Sequence, residues 1–283
     1  MQTRKLSIFL DHILEASQQT GLSISNILDL AKNWGYQAFE INLDYAIENP
    51  QTITLIKNKG MTFSCIYNFY QWQKDSDFSK AQLHVDTAAR LNAKKILVVP
   101  GFFSKEESEL FKNIHDKKKI YELMDSLDCV KNITSMLYKT VLYAKEKNIT
   151  VTLEDFDSET SPCEKIFQLQ YFFERVPGLK FTFDCGNFAF SDEDLLFAFD
   201  TLKDHIVHLH LKDRGKEIEV ENKKLKYNKG LASLATGFGY LPISKIVLAM
   251  EKLSYKDYFA IEHFSVKDQL TAIQKSAAFM ESF

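Results

Sequence analysis

The sequence predicts an α/β fold, a single (β/α)8 TIM barrel that spans residues 1–283. Short runs rich in Ile, Val, Phe and Leu alternate with longer runs of helical period, an arrangement typical of parallel sheets built from β-α-β units. Eight strand candidates can be counted along the chain, the number that a closed barrel of this kind needs. With 45% hydrophobic residues and no linker rich in Pro, Gly or Ser, the composition favours one large domain.

Several of the predicted strands are apolar on both faces, as strands of a buried parallel sheet must be. The eight strands are predicted at residues 5–10, 38–42, 62–67, 95–99, 150–154, 180–184, 206–211 and 258–263. Helices are predicted between them, for example at residues 24–34, 80–91, 117–147, 164–175, 243–253 and 267–279. Ser23 is a typical N-cap for the first of these helices, and Gly35, Gly60 and Gly178 are predicted to end helices in the left-handed conformation.

Two connections are longer than the compact spacing of the other β-α units. Residues 101–119 follow the fourth strand, and residues 214–241 follow the seventh. Long connections at the carboxyl ends of barrel strands often cover a site, so we interpret both as candidate lids.

Charge and cysteine usage exclude several classes of protein. Lys and Arg number 35 against 38 Asp and Glu, so the net charge of −3 provides no basic surface for nucleic acid. The four cysteines lack C-x-x-C spacing and are interpreted as free thiols of a reducing compartment. Neither a signal-peptide core nor an apolar run of membrane-spanning length is found. We therefore expect a cytoplasmic protein without membrane or nucleic-acid partners, and homo-oligomerisation is left open.

Acids and a histidine recur where predicted strands five to eight end. They are Glu154, Asp184, His210 and Glu262. Each has an ordinary interpretation when taken alone, such as a salt-bridge partner, a turn cap or a buried core histidine. Because the carboxyl ends of barrel strands converge, and because three buried acids would raise one another's pKa without a cation, the four together predict a metal site. Three carboxylates and one imidazole are a mostly hard donor set that favours Mn²⁺ or Mg²⁺, with Co²⁺ or Zn²⁺ as alternatives.

Short segments around these residues, in this order and spacing, resemble one known family over almost the whole chain. The segments are residues 151–154 (Val-Thr-Leu-Glu), 181–184 (Phe-Thr-Phe-Asp), 208–213 (His-Leu-His-Leu-Lys-Asp) and 260–262 (Ala-Ile-Glu). The chain is similar to the xylose isomerase-like barrels of the sugar phosphate isomerase/epimerase family, which includes ketose 3-epimerases and inosose dehydratase. The resemblance implies one divalent ion, Mn²⁺ as the first choice, held by Glu154, Asp184, His210 and Glu262.

The resemblance also implies a reaction. Glu154 and Glu262 would remove and return a proton next to a carbonyl of a small sugar or sugar phosphate, and the ion would stabilise the resulting enediolate. Two rival functions stay open: an inosose-type dehydratase that starts with the same proton abstraction, and a catalytically inactive sugar-binding barrel. An endonuclease-IV-like phosphodiesterase is disfavoured because the chain lacks the extra histidines that a cluster of three metals needs.

Some residues depart from the family pattern. Ketose epimerases commonly carry Asp-x-x-His after strand six, whereas this chain has Asn187, which can form hydrogen bonds with a substrate oxygen but cannot carry a proton. The epimerases also place an arginine shortly after the metal histidine. Here either Arg214 or Lys216 is the candidate, and Arg214 is taken as a substrate-binding residue.

Other candidate substrate contacts come from strand ends. Glu40 lies at the end of strand two and Asn68 follows strand three, where an ordinary aromatic barrel rim is an equal alternative. Lys212 either orients His210 through Asp213 or touches a substrate oxygen, with a simple salt bridge as the competing interpretation. The basic stretch 223–229, followed by Gly237 and Gly239, is a candidate phosphate grip, although such charge runs are usually solvated surface.

Overall fold

Eight parallel strands close into a barrel in the computed structural model, which describes residues 4–216, 218–221, 224–227 and 230–283. The barrel strands are β1 (Lys5–Phe9), β2 (Tyr36–Asn42), β3 (Thr62–Phe69), β4 (Lys95–Val99), β5 (Thr150–Glu154), β6 (Lys180–Asp184), β7 (Ile206–Gly215) and β11 (Tyr258–Glu262). Neighbours in sequence are neighbours in the sheet, and the pairings of β6 with β7 and of β11 with β1 complete the ring. The TIM-barrel prediction is confirmed.

Helices surround the barrel on its outer side. They are α1 (Leu10–Thr20), α2 (Ile24–Asn33), α3 (Leu43–Glu48), α4 (Pro50–Asn58), α5 (Ser79–Leu91), α6 (Lys105–Leu110), α7 (Lys117–Ser126), α8 (Asp128–Glu146), α9 (Ile166–Arg175), α10 (Leu195–Leu202), α11 (Ile243–Lys252) and α12 (Gln269–Glu281). The Ser23 side chain accepts a hydrogen bond from Asn26 N at the start of α2. Gly35, Gly60 and Gly178 have φ values of 94°, 73° and 93°, the left-handed conformation expected of them.

The prediction of one helix over residues 117–147 is wrong, because the chain forms α7 and α8 with a break at Leu127. Leu127 has an extended backbone, φ −86° and ψ 125°, and its side chain packs against the hydrophobic core. α7 packs on α9, whereas α8 packs on β5 and α5. The two segments face different neighbours, and no Gly or Pro marks the change of direction in the sequence.

The connection from 214 to 241 contains strands that the sequence did not predict. β7 continues to Gly215, and β10 (Ala232–Leu234) pairs with it in antiparallel orientation. β8 (Ile218–Glu221) and β9 (Lys224–Tyr227) form a separate antiparallel pair. Gly215 permits the close approach of β10, since a Cβ there would lie 2.4 Å from Leu234 Cδ1. The segment 101–119 similarly contains α6, which starts with a capping box of Ser104 and Glu107.

The register of the parallel strands sets the level of the site. Asp184 on β6 is paired with His210 on β7, and His210 is paired with Ala260 on β11. Because side chains two residues apart on a strand point to the same face, Glu262 lies one inward-facing level above Ala260. The strand ends therefore bring the predicted ligands to the same end of the barrel.

Within the described residues, no helix has both the length and the apolar character required to cross a membrane. All four cysteines are buried free thiols, as the sequence predicted.

Candidate metal centre

Four side chains from four strands meet inside the mouth of the barrel. Glu154 ends β5, Asp184 ends β6, His210 lies within β7, and Glu262 ends β11. One ligand atom of each residue lies within 4.8 Å of one ligand atom of each of the others, and all four residues are buried. The structure thus brings together the complete set that the sequence predicted as metal ligands.

His210 lies at the centre of this cluster with its Nδ1 atom toward the acids. Nδ1 is 2.5 Å from Glu154 Oε1, 3.1 Å from Glu262 Oε2 and 3.9 Å from Asp184 Oδ2. Burial disfavours the charged imidazolium, but the carboxylates of Glu40 and Glu154 outweigh it and raise the pKa of His210 well above its ordinary value. The space next to Nδ1 is therefore one in which positive charge is strongly stabilised.

Asp184 shows that the acids fit a cation. Its Oδ1 accepts hydrogen bonds from Gly186 N and Asn187 N, at 2.6 and 2.9 Å. Its Oδ2 is buried without a hydrogen-bond partner. Burial raises the pKa of Asp184 well above its ordinary range, and the Glu262 carboxylate raises it further. A divalent ion coordinated by Oδ2 would compensate both the burial of the Asp184 charge and its repulsion by Glu262. The donor set therefore fits a hard metal ion.

Lys212 compensates part of the negative charge of the cluster. Its Nζ lies 2.9 Å from Glu262 Oε1, 2.8 Å from Asn187 Oδ1 and 3.4 Å from Asp157 Oδ2. Burial alone would raise the pKa of Glu262, but Lys212 and then His210 outweigh it and hold that pKa well below its ordinary value. Glu262 is therefore the carboxylate of the site that is most strongly held in its charged form.

Glu40 lies beneath the cluster and contacts two histidines. Its Oε1 accepts a hydrogen bond from His208 Nε2, and its Oε2 lies 3.1 Å from His210 Nε2. Cys65 approaches Glu40 and His208 closely enough for these three residues to form a second set of candidate ligands. However, both Glu40 oxygens already have imidazole partners, and burial raises the pKa of Cys65 well above its ordinary value, so the thiol keeps its proton. We therefore interpret these three residues as support for the cluster of Glu154, Asp184, His210 and Glu262, and not as a second metal site.

A cavity of about 1050 Å³ opens above the four clustered side chains. Glu154 and Glu262 line it, whereas Asp184 and His210 do not. Its inner wall is largely apolar, formed by Phe9, Tyr67, Phe69, Leu97, Val99, Phe156 and Phe264. Residues of the connection after β7 and of the start of α12 form the outer wall. The cavity is large enough for a small organic ligand with part of its surface on aromatic rings.

The substrate-binding predictions divide between the cavity and the barrel interior. Lys212 and Arg214 line the cavity, as does Lys216, the alternative to Arg214. Glu40 and Asn68 are 0% and 2% exposed and do not line it. Glu40 is directed at the histidines below the cluster, and Asn68 is buried on β3, where its Nδ2 has no hydrogen-bond partner among the described residues. The structure therefore places both side chains in the protein interior and not in the cavity wall.

Asn187 and Arg214 are engaged by the protein itself. Asn187 Nδ2 donates to Asp155 O at 2.6 Å, and its Oδ1 accepts from Lys212. The Arg214 guanidinium donates to Gly186 O, Leu231 O and Asp157 Oδ2, at 3.1, 2.8 and 2.6 Å. Asn187 also lies outside the cavity lining, because its side-chain amide is directed at Asp155 O on the connection after β5. Its predicted substrate contact is thus replaced by two structural hydrogen bonds.

The glycine pair predicted to grip phosphate binds a carboxylate of its own chain instead. Gly237 N and Gly239 N donate to Asp213 Oδ2, at 2.9 and 2.8 Å. Space near Gly239 is tight, since a Cβ there would lie 2.2 Å from Asp213 Oδ1. In the basic stretch 223–229, residues 223, 228 and 229 and the side chains of 224–227 lie outside the described residues.

The roles of His208, Asp155 and Asp157 were not among the predictions from the sequence. His208 and His210 are two residues apart on one strand, and this period-two spacing already predicts that both point into the barrel. Asp155 Oδ1 accepts a hydrogen bond from Asp184 N, and Asp157 contacts both Lys212 and Arg214. In the sequence, Asp155 and Asp157 are notable only because they follow Glu154 at the end of a barrel strand. That position alone does not identify their partners on β6 and β7.

Comparison with known proteins identifies relatives of this fold. A family model described as "Xylose isomerase-like TIM barrel" matches residues 28–283. No curated protein sequence matches the chain significantly.

Solved structures resemble the chain over nearly its full length. The 3-keto-D-glucoside 4-epimerase YcjR from E. coli has a TM-score of 0.68 and 15% identity, and the match covers 100% of both chains. The probable 3-DHS dehydratase AsbF from Bacillus anthracis has a TM-score of 0.69 and 15% identity, covering 98% of this chain and 99% of that one. A xylose isomerase-like TIM barrel protein from Mycobacterium smegmatis, solved in complex with magnesium, has a TM-score of 0.65 and 13% identity, covering 99% and 95%. At these identities the likeness shows the fold.

Proposed function

The chain belongs to the xylose isomerase-like TIM-barrel family, and from this we propose that it is a divalent-metal-dependent isomerase or epimerase of a small sugar or sugar phosphate. Mn²⁺ is the proposed ion, with Mg²⁺, Co²⁺ or Zn²⁺ as alternatives, because three carboxylates and one imidazole form an oxygen-rich donor set. Glu154, Asp184, His210 and Glu262 are its proposed ligands. A magnesium complex of the structural neighbour from Mycobacterium smegmatis agrees with a hard ion in this fold.

One observation carries the proposal: of the four clustered side chains, only the two glutamates also line the cavity. Glu154 and Glu262 can therefore contact both an ion and a bound substrate. They come from β5 and β11, which β6 and β7 separate, so they approach the cavity from different sides. We assign proton removal and proton return at a substrate carbon to these two carboxylates.

The remaining residues would orient the substrate and restrict water. A bound ion would polarise the substrate carbonyl and reduce the cost of the negative charge that proton removal creates. Lys212 Nζ, which lines the cavity beside Glu262, is placed to donate to a substrate oxygen. Phe9, Phe69 and Phe156 exclude water from one wall, which strengthens the electrostatic interactions inside.

A dehydratase is the second candidate, because Lys212 places a buried ammonium group next to Glu262 at the cavity surface. Such a donor suits the loss of a hydroxyl group after the same proton abstraction. A structural neighbour is named as a probable 3-DHS dehydratase, so this fold accommodates that proposal. A catalytically inactive sugar-binding barrel is the non-enzymatic alternative.

Hydrogen exchange with solvent tests these proposals together. The Mn²⁺-loaded protein is incubated in D₂O with ketoses, ketose phosphates and inososes, and deuterium incorporation is followed by NMR after removal of the ion. We expect exchange at one carbon that EDTA abolishes and that E154Q and E262Q each reduce at least 100-fold.

The control is E122Q, which removes an exposed carboxylate of helix α7 and is expected to retain wild-type exchange. Loss of a hydroxyl during exchange would favour the dehydratase. An absence of exchange with every compound, despite bound ion, would contradict the proposed enzyme and favour the binding protein.

A further inference from the structure

Glu40, expected from the sequence to bind substrate, has a different place in the structure. We propose that Glu40 is a positioning residue that keeps the His210 proton on Nε2, so that the Nδ1 lone pair faces the ligand cluster. This inference rests on the proposed function, since it assumes that a divalent ion binds there. It assigns to Glu40 an effect on ion affinity without any contact with ion or substrate.

The two nitrogen atoms of His210 face different groups. Nδ1 lies among the carboxylates of Glu154 and Glu262, at 2.5 and 3.1 Å, whereas Nε2 lies 3.1 Å from Glu40 Oε2. A neutral imidazole has one proton, and an ionised carboxylate only accepts hydrogen bonds. If Nδ1 coordinates an ion, the proton must be on Nε2, and Glu40 is the acceptor placed to hold it there.

Glu40 is itself held from the other side. Its Oε1 accepts a hydrogen bond from His208 Nε2, so one carboxylate bridges two imidazoles. Glu40, His208 and His210 are each 0% exposed, which leaves no solvent to replace either hydrogen bond. His208 Nδ1 has no hydrogen-bond partner among the described residues, which fits a neutral ring with its single proton on Nε2.

Burial also explains why this position requires an acid. A buried carboxylate is costly unless hydrogen bonds and nearby positive charge compensate it, and Glu40 has the two N–H donors. In return, its negative charge increases the basicity of the His210 ring toward an ion. A neutral amide cannot replace this arrangement, because its single oxygen can accept from one histidine while its NH₂ group would face the N–H of the other.

The first test measures affinity for Mg²⁺ alone, by titration calorimetry of wild type, E40Q and E40M. Loss of such supporting acids commonly costs about 10–100-fold in metal affinity, and we expect that range for both variants. The matched control is T152V, which removes a fully buried hydroxyl that bonds Ile96 O and Thr182 Oγ1. We expect T152V to bind Mg²⁺ within twofold of wild type, although it too loses buried hydrogen bonds.

The second test observes the tautomer, which a merely structural role of Glu40 would not change. In Mg²⁺-loaded protein with ¹⁵N-labelled histidine, nitrogen–proton correlations identify which His210 nitrogen carries the proton. We expect a strong Nε2–H signal in wild type and T152V, and a shifted or weakened Nε2–H signal in E40Q, because the Nε2 proton then lacks its carboxylate acceptor. E40Q is the variant closest in shape, so it keeps the test decisive if E40M does not fold.

The outcomes separate the two proposals. Wild-type Mg²⁺ binding that E40Q leaves within twofold, with Nε2–H unchanged, overturns the role of Glu40 and leaves the proposed function standing. A wild-type protein that binds neither Mg²⁺ nor Mn²⁺ contradicts the proposed function and, with it, this inference. Metal binding without enzymatic activity still supports Glu40 as a positioning residue if E40Q shows the expected loss.

Discussion

Lys212 Nζ lies 2.9 Å from Glu262 Oε1, which places a buried cation directly beside one of the two glutamates that face the cavity. The side chains of this pair are 9% and 6% exposed, so solvent screens their interaction weakly. The contribution of Lys212 to stability is therefore the compensation of a buried carboxylate that would otherwise remain unpaired.

The K212M variant tests this contribution. Removal of one partner of a buried ion pair leaves the other charge uncompensated, so we expect the metal-free protein to lose about 3–5 kcal/mol of unfolding free energy. Added Mg²⁺ should recover part of this loss, because it supplies positive charge to the same acids. Urea denaturation with and without Mg²⁺ measures both effects. K131M, which breaks an exposed pair with Asp128, should cost less than about 1 kcal/mol, and an equally small loss in K212M would contradict the argument.

Asp184 gives a second prediction, concerning stabilisation by the ion. An ion that binds only the folded chain, at 100 times its dissociation constant, adds about 2.7 kcal/mol, or roughly 5–10 °C in Tm. D184N should lose most of this shift. Without an ion it should be at least as stable as wild type, because the amide removes a repelled charge and keeps Oδ1 as the acceptor for Gly186 N and Asn187 N.

Thermal unfolding with and without Mn²⁺ checks these expectations, and E122Q serves as the control that should keep the full shift. An equal Mn²⁺ shift in wild type and D184N would place the ion elsewhere.

The sequence predicted the barrel and its four clustered side chains for the same reason. Strand periodicity locates the carboxyl ends of strands, and in a closed barrel those ends converge. The clustering of Glu154, Asp184, His210 and Glu262 could therefore be predicted without knowing any individual contact. The roles of the residues around them could not be predicted in this way. Glu40 and His210 are 170 residues apart in sequence, and strand pattern alone does not reveal whether a buried acid faces a substrate or a histidine.

The same limit explains the other differences between expectation and structure. Asn187 and Arg214 have the chemistry of substrate-binding residues, but their partners Asp155 and Asp157 lie on a different strand–helix connection. The break at Leu127 depends on the neighbours that α7 and α8 meet, and helical period continues through it. In each case the residue type was informative, and the tertiary partner decided its role.

A third prediction concerns Asp213, whose carboxylate organises the connection after β7. It accepts backbone hydrogen bonds from Gly237, Gly239 and Leu241, at 2.9, 2.8 and 3.3 Å. Because D213A would leave these donors without their acceptor, we expect a loss of about 2–4 kcal/mol and faster proteolysis within residues 230–241.

Urea denaturation and limited proteolysis measure the two effects of D213A. The control is D116A, which removes a single N-cap acceptor at the start of α7 and should cost only about 1 kcal/mol. Equal losses in the two variants would argue against a special role for Asp213.

The last prediction is that the free energy of unfolding depends on pH through His84, which is not one of the proposed metal ligands. His84 is fully buried; its Nε2 donates to Ile66 O at 3.0 Å, and its Nδ1 accepts from Tyr70 Oη at 2.9 Å. Burial lowers the pKa of His84 to about 4. A folded-state pKa below the unfolded value means that stability is complete above about pH 6.5 and is lost as the pH falls toward 4.

The expected slope is about 1.4 kcal/mol per pH unit, which amounts to about 2 kcal/mol at pH 5. H84Q can keep both hydrogen bonds without a titrating ring, so its advantage over wild type should grow by that amount between pH 7 and 5 in urea denaturation. H115Q replaces an exposed histidine and should follow the wild-type curve. If H84Q and wild type lose stability in parallel, the acid sensitivity arises from other groups, since a ring that stayed neutral in both states would contribute nothing to the slope.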